Sequence, residues 1–419
     1  MKVRVAYLTA IALLTILALP TTSHAQEKIQ RLPHYNVIDL GTLGGTYSGA
    51  GGISNSGWVE GWTSLSGDNE RAFLWRKGVT TDLGTLGGPN SDAGWRPSER
   101  GEAGGGSDTT TPDPNGEDYC GYGTYLICHP FVWRDGVMTP LPTLGGNNGY
   151  AAGVNNRGQV VGNAEYDTPD PTCELPYDYL QIGAVVWENG KIIKNLKPLP
   201  GDPDAAAFAI NDWGQVTGVS GGCSIPPFHA VLWQNGKAID LGNFGGTTSE
   251  GIDINSLGEV VGVSYLSDNT TYYSFLWRNG VMTNLGTVPG DVSSEADGLN
   301  DWGQVVGGSY DANGNNRAYI WQNGVMTDLN TLIPSNSPLY LLEANGGIND
   351  RGQIVGTALQ ISSGEVHGFL ATPGKWSAAD ENATVSRTVP KVTVPENVRK
   401  QLQRRTLLRG LKRGLLGQQ

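Results

Sequence analysis

One short motif recurs seven times along the chain and constrains its fold more than any other feature. An apolar residue is followed by Asn-x-x-Gly-x-Val-x-Gly in six recognisable copies, and a seventh copy has decayed. The copies occupy residues 53–61, 97–105 (the decayed copy), 154–162, 210–218, 254–262, 299–307 and 348–356. Repetition at a period in the forties predicts that the chain is an array of similar supersecondary units.

Two further motifs follow each copy in a fixed order. The first is an apolar run that ends in Trp before an x-Gly turn, with Ala371 in place of Trp in the last copy. The tryptophans are Trp75, Trp133, Trp187, Trp233, Trp277 and Trp321. The second is Leu-Gly-Thr-Leu-Gly-Gly, complete at residues 40–45 and 83–88 and weaker elsewhere. Three motifs in constant order indicate one unit of defined internal structure.

Each unit reads as four short strands, A to D. Strand A ends at the Ile-Asn pair, and Asn-x-x-Gly supplies the tight turn into strand B. Strand C is the apolar run, whose consecutive apolar residues suit a strand covered on both faces. An Asn-Gly turn such as Asn279-Gly280 leads into strand D. Four strands at this period favour an all-β, seven-bladed β-propeller over a solenoid.

The two ends of the repeat array suggest how it closes. The last unit lacks a strand D after Thr372, while residues 35–40 read as a strand D that precedes the first strand A. We expect this N-terminal strand to complete the last blade, which would remove two free sheet edges. The alternative is that it caps the first blade.

The combination of motifs resembles a known family. Residues 229–233 (His-Ala-Val-Leu-Trp) and 71–75 (Arg-Ala-Phe-Leu-Trp), with the Leu-Gly-Thr-Leu-Gly-Gly and Ile-Asn-x-x-Gly elements, are similar to the HAF repeat of probable extracellular bacterial proteins. The resemblance covers residues 35–374. It departs from the pattern in unit two, at residues 95–98, and in unit four, at residues 196–201. The resemblance implies an extracellular location and brings no catalytic residues.

The N-terminus predicts export. Basic residues Lys2 and Arg4, an apolar run and Ser23-His24-Ala25 read as a signal peptide over residues 1–25. We therefore predict a propeller at residues 34–374 and a basic, disordered tail at 375–419. No later segment is long and apolar enough to span a membrane, so we predict no transmembrane span after cleavage.

Charge limits the partners. Residues 26–374 carry a net charge of −21, which argues against nucleic acid because phosphate binding needs a basic surface. The tail carries +7, and it could dock on the acidic body or on an anionic surface instead of being disordered. The partner is otherwise an unknown extracellular glycan, peptide or protein.

The four cysteines are expected to be oxidised in an exported chain. All of them lie in insertions after strand B. Cys120 and Cys128 share one loop, whereas Cys173 and Cys223 lie in neighbouring units on one face, so we predict the pairs Cys120–Cys128 and Cys173–Cys223. A zinc site is disfavoured because the spacing has no Cys-x-x-Cys pair.

The same insertions, mainly 107–125 and 166–181, supply the candidate ligand-binding residues. Aromatic rings beside carboxylates suit a sugar or a peptide. The candidates are Trp95, Glu117, Asp118, Tyr119, Tyr122, Tyr125, Tyr166, Asp167 and Tyr177. The competing interpretation is that these loops are solvated spacers pinned by disulfides.

No motif identifies a reaction, cofactor or metal. His129, His229 and His367 occupy one repeat position and are interpreted as structural. Asp113, Asp118 or Asp167 could bind calcium, but no spaced Asp-x-Asp-x-Asp loop is present. We expect no cofactor, no metal and no catalytic residue.

Function is predicted as noncatalytic binding on the face that carries the B–C loops. The alternatives are a propeller-fold lyase or glycoside hydrolase with carboxylates at the channel mouth, and a structural envelope protein.

Overall fold

β-Strands dominate the part of the chain that the computed structural model describes, which is residues 32–67, 69–375, 392, 394–396 and 398. The predicted signal peptide lies outside the described residues. Each repeat forms an antiparallel meander in the order A–B–C–D, as its hydrophobic pattern predicted. The fold is therefore all-β.

The strands fall into four classes by their place in the repeat. The A strands are β2 (Gly44–Ile53), β6 (Ser91–Asp92), β10 (Gly145–Val154), β14 (Asp204–Ile210), β18 (Gly245–Ile254), β22 (Ser293–Leu299) and β26 (Leu339–Glu343). The B strands are β3 (Val59–Leu65), β7 (Ala103–Pro112), β11 (Gln159–Pro169), β15 (Val216–Gly221), β19 (Val260–Leu266), β23 (Val305–Tyr310) and β27 (Ile354–Gln360).

The outer two classes complete each meander. The C strands are β4 (Glu70–Arg76), β8 (Leu126–Arg134), β12 (Leu180–Glu188), β16 (Phe228–Gln234), β20 (Tyr272–Arg278), β24 (Asn316–Gln322) and β28 (Val366–Gly374). The D strands are β5 (Val79–Asp82), β9 (Val137–Pro140), β13 (Lys191–Leu196), β17 (Lys237–Asp240), β21 (Val281–Asn284), β25 (Val325–Asp328) and β1 (His34–Asp39). A short 3₁₀ helix, Leu329–Thr331, follows β25 and was not predicted.

The first strand of the described chain pairs with the last. β1 runs antiparallel to β28, from His34 opposite Gly374 to Asp39 opposite Phe369. Asp39 accepts a hydrogen bond at 2.8 Å from Nδ1 of His367, which lies on β28. The N-terminal strand thus occupies the D position of the seventh repeat.

The Asn of the repeat motif has a second role beyond its turn. In repeat 6, Oδ1 of Asn300 accepts the N–H groups of Trp302 and Gln304 at 3.1 and 3.0 Å, which closes the A–B turn. Nδ2 of the same side chain donates to the main-chain carbonyl of Asn349, the equivalent residue of repeat 7, at 3.1 Å. One residue therefore forms a turn and joins two repeats.

The same inter-repeat bond recurs at four further junctions. The donor and acceptor pairs are Asn155 to Asn211 (3.1 Å), Asn211 to Asn255 (3.0 Å), Asn255 to Asn300 (3.3 Å) and Asn349 to Ser54 (3.0 Å). The last of these bonds connects repeat 7 to repeat 1. The motif thus encodes association between repeats as well as the fold of each one.

Apolar side chains pack between consecutive repeats. Leu232 and Leu241 of repeat 4 lie in one cluster with Ile254 and Phe275 of repeat 5. A corresponding cluster includes Ile53 and Phe73 of repeat 1 together with Val355 and Leu370 of repeat 7. Each meander is covered by its neighbours, which explains why strand C is apolar on both faces.

Part of the predicted tail is packed against the body. Val394 and Val398 are buried against Tyr340, Leu359 and Val366. The main-chain N–H of Val394 donates to the side chain of Asn315. The other described residues of the tail beyond Lys375 are 392, 395 and 396, and the disorder of the tail as a whole stays a prediction.

Candidate functional site

The insertions after strand B are held by two disulfides. Cys120 pairs with Cys128 and Cys173 pairs with Cys223, with Cα–Cα distances of 6.0 and 4.7 Å. Both predicted pairings are confirmed. The second disulfide ties the B–C loop of repeat 3 to the B–C loop of repeat 4, so it links neighbouring repeats.

Three of the predicted ligand residues lie in the interior. Glu117, Asp118 and Tyr119 are all buried. Oε1 of Glu117 accepts the main-chain N–H of Tyr179 at 2.6 Å, and the Asp118 carboxylate accepts the N–H of Gly123 at 2.9 Å. The Glu117 bond joins the repeat 2 insertion to the repeat 3 insertion, whereas the Asp118 bond lies within the repeat 2 insertion.

Tyr122 and Trp95 also make internal contacts. The Tyr122 hydroxyl donates to Asp92 at 2.8 Å. The Trp95 ring stacks on Phe208 at 5.7 Å and meets Tyr150 edge-on at 6.0 Å. Trp95 therefore packs against residues of the A strands of repeats 3 and 4, and it borders a buried cluster that includes Tyr119 and Cys120 of the repeat 2 insertion.

The remaining four candidates reach solvent to different extents. Tyr125 and Tyr177 are 48% and 36% exposed, and Asp167 is exposed. Tyr166 is half-buried, and its hydroxyl accepts a hydrogen bond at 2.6 Å from Nδ2 of Asn195. Only part of the candidate set is therefore available to a ligand on this face.

Several carboxyl groups beneath the B–C loops have strongly shifted acidities. Burial raises the pKa of Asp108 to about 6 and that of Asp204 to about 8. Burial, together with the neighbouring Glu117, raises the pKa of Glu165 to about 9. These shifts follow from desolvation that nearby cations do not offset.

Arg96, which directly precedes the decayed second copy of the motif, contacts residues of repeats 5 and 6. Nη2 of Arg96 lies 3.6 Å from Oδ2 of Asp253 in repeat 5 and donates to the carbonyl of Leu299 in repeat 6 at 3.3 Å. An adjoining cavity of about 40 Å³ is lined by Arg96, Glu250 and Glu295, among others. It has room for a few waters. The departure from the motif thus places an Arg where the repeats converge.

The A–B turns form the opposite face, which we call the turn face. A cavity of about 130 Å³ here is lined by side chains from all seven copies of the motif. Its polar rim comprises Asn55, Glu99, Asn156, Asp212, Ser256, Asp301 and Asp350. Many of these carboxylates accept a neighbouring main-chain N–H, as Asp350 does from Asp301 at 2.9 Å. Most of the rim carboxylates therefore form hydrogen bonds that join neighbouring repeats.

The residue after the rim position points outward. Trp213, Leu257 and Trp302 occupy this position in repeats 4, 5 and 6, and they are 75%, 66% and 72% exposed. The Trp302 indole N–H donates to the carbonyl of Asp350 at 2.8 Å. Large exposed apolar side chains on adjacent repeats indicate an interaction surface.

A groove lies beside Trp213, between repeats 3 and 4, with a volume of about 650 Å³. Trp213, Lys194, Lys197, Gln234 and Asn235 are among its lining residues, which include no Asp or Glu. We call it the Trp213 groove. Its volume falls in the range typical of small-molecule sites.

The Trp213 groove was not predicted from the sequence. Trp213 occupies a variable position of the repeat motif, whereas the functional prediction concerned the long B–C insertions. The available signal was a tryptophan in the A–B turn, where its side chain is 75% exposed.

The described residues contain no cluster of three or more His, Cys, Asp or Glu side chains arranged as metal ligands. They also contain no helix of the length and apolarity needed to cross a bilayer.

Comparisons with known proteins give distant likenesses of fold. No family model matches the sequence, and no curated protein matches it. The β-propeller domain of the Trilobed protease from Pyrococcus furiosus aligns at 10% identity and a TM-score of 0.44, covering 66% of this chain and 79% of that one.

Two other similar structures are AofleA from Arthrobotrys oligospora and the gluconolactonase XC5397 from Xanthomonas campestris. AofleA aligns at 11% identity and a TM-score of 0.37, covering 71% of this chain and 88% of its own. XC5397 aligns at 8% identity and a TM-score of 0.36, covering 82% and 95%. At these scores the likenesses carry no argument about function.

Proposed function

We propose that this protein is a noncatalytic, exported β-propeller of seven four-stranded blades that binds carbohydrate in the Trp213 groove. The proposal has three parts, which are the closed ring, the export and the ligand. Each part rests on different contacts.

Two sets of contacts between repeats 7 and 1 support a closed ring. β1 pairs with β28 along its whole length. On the turn face, Asn349 donates to Ser54, and Asp350 and Asn55 exchange two further hydrogen bonds at 2.6 and 2.8 Å. Bonds of the same kind join repeat 3 to repeat 4, so the junction between repeats 7 and 1 resembles one inside the array.

Export is supported by the two disulfides together with the signal-like residues 1–25. Disulfides persist in oxidising compartments such as the periplasm or the cell exterior. Membership of the HAF-repeat family is part of the same proposal, since it rests on the repeat motifs alone.

The observation that carries the ligand assignment is the chemistry of the Trp213 groove. An exposed indole offers a flat apolar face on which a sugar ring can stack. Gln234 and Asn235 supply amide groups that can bond to sugar hydroxyls, and Lys194 and Lys197 add donors. Because no carboxylate lines the groove, a ligand that carries its own negative charge, such as a uronic acid, is favoured.

A glycan array followed by calorimetry tests the assignment. We expect the protein without residues 1–25 to bind one class of glycan, and Trp213→Ala to weaken that binding at least tenfold because stacking is lost. Trp302→Ala is the matched control, since Trp302 is equally exposed at the same turn position and lies outside the groove lining.

Either of two results would contradict the proposal. If no glycan on the array binds, the assignment of carbohydrate as the ligand is wrong. Equal losses of affinity in both tryptophan variants would place the ligand elsewhere than in the groove.

A second candidate is the B–C loop face, which the exposed rings of Tyr125 and Tyr177 favour. A ligand on this face should be lost in Tyr177→Ala and retained in Trp213→Ala, so the same measurement separates the two faces. The enzyme alternative is weakened by the small size of the central cavity, about 40 Å³, compared with the several hundred that a ligand pocket needs.

A further inference from the structure

The B–C insertions of repeats 2, 3 and 4 are joined to one another. The second disulfide links the insertions of repeats 3 and 4. The N–H of Asp118 in repeat 2 donates to the carbonyl of Pro176 in repeat 3 at 2.6 Å. The three loops therefore present one continuous surface, which we call the insertion surface and which comprises residues 113–125, 170–179 and 222–227.

Large apolar side chains on the insertion surface face solvent. Leu175 is 57% exposed and Ile225 is 47% exposed. The rings of Tyr125, Tyr177 and Tyr179 are exposed on the same loops. Apolar side chains exposed together on neighbouring loops indicate an interaction surface.

The insertion surface is also acidic. Its three loops carry six Asp and Glu side chains and no Lys or Arg. Glu174 is exposed beside Leu175, and Asp167 is exposed near the end of β11. A partner that matches this surface should therefore combine apolar side chains with positive charge.

The C-terminal tail is fixed at the same face of the protein. Val394 and Val398 lie in one buried cluster with Leu359 and Val366, which flank the B–C turn of repeat 7. The hydrogen bond from the N–H of Val394 to Asn315 adds a contact with the B–C loop of repeat 6. The chain that follows Val398 therefore starts from the face that carries the insertion surface.

The residues after Val398 have the complementary chemistry. Residues 399–413 contain seven basic side chains, four leucines and no acidic side chain. This segment can reach about 50 Å when it is fully extended. A compact domain with the length of residues 34–374 has a radius of gyration of about 20 Å, so the segment is long enough to cross the face.

We propose that residues 399–413 bind across the insertion surface of the same chain. Their leucines cover Leu175, Ile225 and the exposed tyrosine rings, while their basic groups lie over the exposed carboxylates. Because the buried valines hold the segment close to this surface, binding within one chain is favoured over binding between two chains. The tail then covers the B–C loop face and leaves the Trp213 groove open on the turn face.

Carbodiimide cross-linking, which joins a lysine to a carboxylate in direct contact, tests this proposal. An equal mixture of ¹⁴N- and ¹⁵N-labelled protein without residues 1–25, with its disulfides intact, is cross-linked and analysed by mass spectrometry. We expect links from Lys400 or Lys412 to Asp167 or Glu174 within one chain. Replacing Leu175 and Ile225 together by Ala should reduce these links by at least about fivefold, because apolar contacts are lost.

Leu257→Ala is the matched control, since Leu257 is 66% exposed on the opposite turn face and its loss should leave the links unchanged. Links between chains of different isotopic label would identify a second copy as the occupant and overturn the proposal. Links confined to other carboxylates, or no links at all, would overturn it as well.

Binding to vesicles of phosphatidylglycerol and phosphatidylcholine separates the remaining occupant, an anionic membrane. If the tail is held on the insertion surface, the Leu175 and Ile225 double variant releases it and should bind the vesicles at least about fivefold more tightly than the wild type. Equal affinity of the two proteins for the vesicles would mean that the tail is free in the wild type, and the proposal would be wrong.

Discussion

At the scale of single residues, the glycine that ends each repeat motif lies against the backbone of the paired strand. A Cβ added at Gly262 would lie 1.9 Å from the carbonyl oxygen of Glu250 on the paired A strand. The equivalent glycines meet the same obstacle, as at Gly307, where the oxygen of Glu295 would be 2.0 Å away. The A strands bulge toward these positions, as the register shift between Gly251 and Asp253 records. Close approach of two backbones therefore requires glycine here.

Gly262→Ala should consequently lower the free energy of unfolding by about 3 kcal/mol, because the added methyl forces the two strands apart. Urea denaturation measures the loss. Gly94→Ala is the control, since its nearest atom would be the Tyr150 hydroxyl at an ordinary 3.6 Å. Similar losses in both variants would contradict the steric explanation.

The contact between His367 and Asp39 predicts a pH-dependent contribution to stability. The hydrogen bond from the Asp39 carboxylate raises the pKa of His367 above its usual value. A raised histidine pKa adds stability that is complete below about pH 6.5 and is lost as the pH rises through the folded-state value. We expect Asp39→Asn to lower the His367 pKa and to remove about 1 kcal/mol at pH 5.5, with less effect at pH 8.5.

NMR titration of His367 and urea unfolding at the two pH values check this expectation. Asp240→Asn is the control, because Asp240 accepts the N–H of Gly242 as Asp39 accepts that of Gly41, and it forms no ion pair with a His among the described residues. If Asp39→Asn loses the same stability at both pH values, the bond of Asp39 to the Gly41 turn stabilises the protein and its contact with His367 does not.

At the scale of strands and loops, sequence patterns predicted the features that depend on residues close together in the sequence. The C–D turns have positive φ at both central residues, 51° and 85° at Asn279 and Gly280, as the Asn-Gly pair requires. The strand order, the disulfide pairs and the N-terminal strand were predicted for similar reasons. The unusual role of Trp95 and Arg96 could not be predicted, because it depends on residues of repeats 3 to 6 that are distant in sequence.

The candidate site was predicted less well for a physical reason. Long polar insertions suggest ligand binding, yet Glu117 is used to bond the neighbouring insertion of repeat 3, and Asp118 is used to bond its own loop. Irregular loops need such internal partners for their main-chain groups. Composition does not reveal which acids are used in this way.

The two disulfides should differ in their contribution to stability. The Cys173–Cys223 bond closes a segment with a sequence separation of 50, whereas Cys120–Cys128 has a separation of 8. Chain entropy predicts losses of about 4 kcal/mol and about 2.5 kcal/mol when each pair is replaced by Ala. Denaturant unfolding of the two double variants measures the difference, and equal losses would contradict the loop-length explanation.

At the scale of the whole molecule, the proposed ring makes each repeat depend on its neighbours. β1 supplies the D strand of the seventh repeat, and its Tyr35 is completely buried. Any change that removes this strand exposes the edge of β28 and part of the core. The ends of the array thus support each other.

Deleting residues 34–39 should therefore lower the Tm by on the order of 10 °C or more, because the six residue pairs between β1 and β28 and the buried ring of Tyr35 are lost together. Differential scanning calorimetry gives the value. Ile38→Thr is the control, because this β1 side chain is 46% exposed and its loss should leave the Tm nearly unchanged. If the deletion variant has the same Tm as the wild type, β1 does not have the proposed role in closing the ring.

The pairing of β1 with β28 also affects the order in which the chain can fold. The two strands are separated by more than 300 residues, so β1 leaves the ribosome long before β28 and cannot pair until β28 has been made. Bringing such distant segments together is slow, because the entropy of closing a long loop is lost before the contact forms. The repeats between them can assemble in sequence, and the docking of β1 would then be the final, rate-limiting step of maturation.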